Sequence, residues 1–191
     1  MFEWLSMARI LHVIAAVFMA APLYMLIVVG ERGAFGRRID AAMDGYMERI
    51  VSGQPRRCYA YVAVLFFTGL ALLILTGQGL APVVTNWTVA LKVVLTLAVL
   101  GIITYVHMVL QPQVNHLVAS AETEDVAVKV WPLRSLRKRL AAVCLFLVLT
   151  IVLLGIRLVV PYSAATLLLF LILAALFAWR AFRVPVPWGF G

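Results

Sequence analysis

Acidic residues are scarce in this chain: Asp and Glu number 8 against 16 Lys and Arg in 191 residues, with three histidines and two cysteines. The cysteines, Cys58 and Cys144, lie far apart and form no CxxC or CxxCH. A metal knuckle, a dithiol redox motif and a covalent c-type haem are therefore without support. No glycine-rich phosphate loop, internal repeat or low-complexity tract is present. Charge is scarce overall, at 13% of residues against 65% hydrophobic, which leaves too little polar surface for a water-soluble domain. The composition is that of an integral membrane protein. Its net charge of +8 would point to nucleic acid in a soluble chain. Here the basic residues cluster in particular loops, as they do when they fix orientation in a membrane. The partner expected is membrane lipid, and no nucleic acid.

The apolar runs predict one all-α transmembrane domain over residues 1–191, a bundle of five spans at about 4–29, 58–76, 87–111, 140–160 and 164–182. The first run follows Glu3 rather than a basic segment and reads as a retained helix, not a signal peptide. Pro22 is expected to kink its second half. Between the first two spans, Ile39, Met43, Tyr46, Met47 and Ile50 recur at helical spacing among charged residues. That pattern predicts a short amphipathic helix at about 38–51, lying at the membrane interface. After Pro112 a polar loop is expected to run to Arg139, with an acidic patch at Glu122, Glu124 and Asp125 and a basic run at Arg134, Arg137, Lys138 and Arg139. Nearly all Lys and Arg fall in the loops after spans one and three and at the C-terminus. The positive-inside rule then places the N-terminus outside and the C-terminus in the cytoplasm of a bacterial-type inner membrane.

Lys92, in the third span, is out of place in such a setting. A cation at mid-membrane costs about 2.5–3.5 kcal/mol, so a lysine there marks a functional site unless it snorkels to the surface. Depth decides what it can meet. At 1.5 Å per residue, Lys92 lies ~9 Å below Asn86 and His12 lies ~12 Å below Trp4, both from the outer face. His107 is ~22 Å deeper than Lys92, and His116 falls in the inner loop, so neither shares the site. His12 and Lys92 are the expected pair, with spans one and three as neighbours. Ala15, Ala16 and Met19 share the His12 face, and Thr96 sits one turn below Lys92. A neutral imidazole suits iron, copper or zinc, and a lysine amine that has lost its proton is a ligand as well. Arg9 and Arg157, near the outer surface, are placed to meet anionic groups such as porphyrin propionates.

The stretch RILHVIAAV of the first span, PRRCYAY before the second, and Trp87 followed five residues on by Lys92 resemble the small membrane-bound protoporphyrinogen oxidases of the HemJ type. They also resemble the wider CopD-like group. The likeness covers about residues 9–112. It implies that His12 and Lys92 are the functional pair of a b-type haem site. The chain departs from the family at Val17-Phe18-Met19, where a tryptophan is usual, and at Leu136–Leu140, where an Asn-Glu-Pro signature is usual. Three functions stay open at this point. The first is a haem b redox protein that oxidises a porphyrinogen or passes electrons to quinone or a partner. The second is a copper-handling protein using His12 with Met7 or Met19. The third is a cofactor-free subunit of a larger membrane complex or homo-oligomer.

Overall fold

The computed structural model of the chain describes residues 2–30, 41–119 and 125–183, and among these residues there is no strand. The helices are α1 (Phe2–Gly30), α2 (Ala41–Ser52), α3 (Gln54–Leu75), a single turn α4 (Pro82–Thr85), α5 (Trp87–Tyr105), α6 (Gln111–Ala119), α7 (Asp125–Val159) and α8 (Ala164–Arg183). A π turn at Val106–Leu110 joins α5 to α6 without a break. Five helical stretches are long and apolar enough to cross a membrane. Residues 31–40, 120–124 and 184–191 lie outside the described residues, and with them Arg32, Arg37, Arg38, Ile39, Glu122, Glu124 and the C-terminal tail.

Local chemistry sets the boundaries. Pro55 stands in the first turn of α3, where its missing N–H would be unpaired in any case. One residue earlier, the Gln54 amide donates to the Ile50 carbonyl at 2.9 Å and closes the end of α2. Gly77 and Gly79 turn the chain after α3 with φ of 73° and 57°, a region that residues with a Cβ rarely enter. The Asn86 side chain then accepts from the Thr88 and Val89 amides at 3.0 and 3.4 Å and starts α5. Ser163 does the same for α8 through the Thr166 amide at 3.1 Å.

Two expectations are corrected here. The polar segment after Pro112 is not a loop: α6 covers its start, and α7 runs unbroken from Asp125 through Pro132 into the fourth span. Pro112 does not end its helix because the wide turn before it absorbs the lost hydrogen bond and the ring's clash with the preceding turn. Pro22 lies within α1, which is helical from Phe2 to Gly30. The second correction concerns neighbours. α1 packs along α3 and α7, and α5 packs along the same two helices. Four helices thus close a ring in the order α1–α3–α5–α7, with α1 and α5 on a diagonal rather than side by side. The short connection through α4 ties α5 to α3, and α7 packs on its other side. α8 flanks α7.

The ring is filled by Met19, Leu23 and Ile27 of α1, Val62 of α3, Val99 and Ile103 of α5, and Leu145 and Val148 of α7. Its outside is apolar too, with Val17, Phe66, Phe67, Leu97, Leu168 and Leu176 all exposed. An exterior this hydrophobic is suited to lipid, not water.

Candidate functional site

His12 and Lys92 lie at the same end of the ring, where α1 and α5 begin and α3 and α7 finish. His12 turns toward α3. Its Nδ1 is 2.8 Å from the Thr68 hydroxyl oxygen. That hydroxyl has one proton and directs it along its own helix, to the Val64 carbonyl at 2.6 Å. Toward the imidazole it can therefore only accept, so Nδ1 carries the hydrogen and Nε2 keeps its lone pair. The Leu65 carbonyl, 3.3 Å from the same hydroxyl, is a further acceptor beside the ring. This is the arrangement that holds a metal-ligating histidine: one ring nitrogen donates to an anchoring group and the other is left free. Gly69 stands behind the ring, where a Cβ would lie 3.5 Å from His12 Cε1.

Lys92 turns toward α7. Its Nζ lies 3.3 Å from the point a Cβ on Gly155 would occupy, so a side chain there would press on the amine. Among the described residues no carboxylate pairs with it. It lies close enough to His12 for its charge to act on the imidazole. Thr96, one turn below, donates its hydroxyl to the Lys92 carbonyl at 2.8 Å, the i−4 bond common to threonines within helices. Arg157 sits with its guanidinium 5.9 Å from the centre of the Trp87 ring, a cation–π contact at the mouth of this end.

The other candidates are scattered. Arg9 is exposed, and so is Met7. Met19 is only 1% exposed and belongs to the core cluster with Leu23 and Val99, so it packs and does not line the site. Ala15 is buried beneath His12. His107 sits at the opposite end, against Tyr59, with ring centres 5.8 Å apart. Tyr59 precedes Thr68 by nine residues of one helix, ~13 Å, which separates the two histidines as the depth argument required. His116 is exposed on α6. Among the described residues no three His, Cys, Asp or Glu side chains gather as a metal cluster.

A second polar centre occupies the opposite end. Glu48 of α2 is only 8% exposed and meets Arg137 of α7 through two oxygens, Oε2 accepting from Nη2 at 3.0 Å. The Gln111 amide donates to Glu48 at 3.1 Å and to Asn115 at 3.0 Å, and Arg137 Nη1 donates to the Gln111 carbonyl oxygen at 2.8 Å. Arg134 approaches the same carboxylate at 3.4 Å. This network fastens α2 to α6 and α7. Nothing in the sequence signalled it, since Glu48 stands among the other charged residues of the amphipathic segment.

Gly69, Gly155 and Thr68 were not singled out by sequence. A glycine in an apolar run carries no partner information, and only the packing shows which side chain it admits. Compared with protein-family models, curated proteins and solved structures, the chain matches none.

Proposed function

We propose that the chain is a b-type haem-binding redox protein of a bacterial-type inner membrane, N-terminus outside, as its resemblance to the HemJ-type oxidases implies. The observation that carries this reading is the 2.8 Å contact of His12 Nδ1 with the Thr68 hydroxyl, whose proton goes to the Val64 carbonyl; the tautomer this favours leaves Nε2 as a lone-pair donor. Lys92 supplies a second nitrogen from the diagonal helix, beside Gly155. Both donors suit iron, and glycine behind each side chain suits a flat ligand. Arg157 and Arg9, near the same end, are cations available to carboxylates.

Bound haem would supply one-electron transfer. The chain's own part is to hold the donor nitrogens, to keep water out with the apolar walls of α3 and α7, and to offer cations at the rim. The electron source is a porphyrinogen in the oxidase reading, and electrons pass to quinone or a partner complex. The test is the absorption spectrum of protein purified in detergent. An intense Soret band that disappears in His12→Ala supports the proposal. No band, or a band unaltered by that substitution, refutes it. Stoichiometric copper without porphyrin in the same preparation would replace haem by copper handling.

A further inference from the structure

The basic run that leads into the fourth span divides between two faces of α7. Arg137 turns inward to Glu48, and Arg139, about 200° further round the same helix, is exposed. The Arg139 guanidinium lies over the Phe182 ring of α8, 5.2 Å from its centre. Phe182 stacks on Trp179, one turn earlier, with ring centres 6.5 Å apart and planes within 9° of parallel. Arg183, four residues after Trp179, lies over that ring at 4.4 Å. The contacts form a chain, Arg139–Phe182–Trp179–Arg183, that links α7 to α8 at the end of the bundle opposite His12 and Lys92.

Both guanidiniums are exposed, and among the described residues no carboxylate pairs with either. A guanidinium laid on a ring spends its face there and keeps its N–H edge, the planar fork that fits phosphate oxygens. The stacking also orders two long side chains in advance, so less entropy is lost when an anion binds. What lies beside the cations identifies the anion. Leu176, Ile172 and Leu169 continue the Trp179 side of α8 toward the middle of the span, and all are exposed. A soluble anion uses the charges and leaves this apolar strip idle. A phospholipid uses both.

We propose that this face of the α7–α8 seam is a binding site for an anionic phospholipid, with Arg139 and Arg183 taking the phosphate oxygens and an acyl chain lying along the strip below Trp179. The site selects by charge. A zwitterionic lipid carries its own cation beside the phosphate, which the two guanidiniums repel, whereas an anionic headgroup brings them only the negative charge. The site shares no residue with the one at His12 and does not depend on haem being present.

The experiment is native mass spectrometry of protein released from detergent, titrated with phosphatidylglycerol or with phosphatidylcholine of the same acyl chains. Each arginine beside an anionic headgroup is worth about fivefold in affinity, so wild type is expected to bind the first phosphatidylglycerol about 25-fold more tightly than phosphatidylcholine. Arg139→Gln and Arg183→Gln should each reduce that preference about fivefold, and the double variant should abolish it. Arg56→Gln, which removes an exposed charge from α3 at the same end of the bundle, should leave it intact. Equal affinity of wild type for the two lipids overturns the proposal whether or not the variants fold, and so does a preference undiminished in the double variant. A loss in Arg56→Gln as large as in Arg183→Gln overturns it as well, since a diffuse field of charge would then suffice. Glycerophosphoglycerol, the headgroup without its chains, is added as competitor; displacement of the lipid at equal concentration would refute the part given to the apolar strip.

Discussion

Replacing Thr68 by valine removes the acceptor that fixes His12 while keeping the side chain's shape. The imidazole Nδ1–H then loses its hydroxyl acceptor in a dry part of the bundle and is left with the Leu65 carbonyl beside the ring. An unsatisfied buried donor costs about 1–3 kcal/mol. Loss of the group anchoring a ligating histidine weakens metal binding by about 10–100-fold. At 1.36 kcal/mol per tenfold, that is roughly 1.4–2.7 kcal/mol, so the two independent magnitudes agree. The structure gives the ring few alternatives, since Gly69 backs it on one side and the Thr68 hydroxyl is its 2.8 Å partner. Thr68→Val is therefore expected to weaken cofactor retention by about 10–100-fold, while Thr68→Ser, which keeps the hydroxyl, stays near wild type. The assay is transfer of cofactor to a competing apo-haem acceptor, with thermal unfolding in the same detergent as the control for fold. Val and Ser variants that retain cofactor equally well would refute the argument that the Thr68 bond sets the histidine.

Glu48→Gln leaves Arg137 buried beside a neutral amide and is expected to destabilise the bundle by about 3–5 kcal/mol, read as thermal unfolding in detergent; an unaltered transition would deny the network its structural role. Gly155→Leu fills the space in which the Lys92 amine rests and should displace it, reducing cofactor content without altering unfolding of the α2 end. Equal cofactor content in Gly155→Leu and wild type would count against that placement. Asn86→Ala removes the cap of α5, the helix carrying Lys92, and should cost about 1 kcal/mol, measured against Asn86→Asp, which retains an acceptor.

The spans were legible because a long apolar run has one solution in lipid, a helix with its backbone paired internally. The common depth of His12 and Lys92 was legible too, since rise per residue needs only a starting point, and α5 does start beside Asn86, which caps it. What remained hidden was lateral. Depth does not say which helices touch, and α1 and α5 turned out to be diagonal. Pro112 read as the start of a loop because a proline interrupts backbone bonding, yet it is carried within α6. The partner of Arg137 could not be read from a basic run, because its carboxylate lies on α2, far away in sequence. Thr68 had no mark of its own: its hydroxyl bonds its own helix, as such residues commonly do, and only the packing of α1 brings the imidazole to it.

The central claim is that Lys92 takes part in the site with His12 and is not a cation reaching for the membrane surface. Lysine ligates through the lone pair of a neutral amine; arginine stays protonated and offers none, yet it reaches the interface equally well. Absorption spectra and haem content of purified wild type, Lys92→Arg and Lys92→Met therefore separate the two. Loss of haem or a displaced Soret band in the arginine variant, matching the methionine variant, is the predicted result. Spectra identical to wild type in both variants would contradict it and leave His12 without its partner.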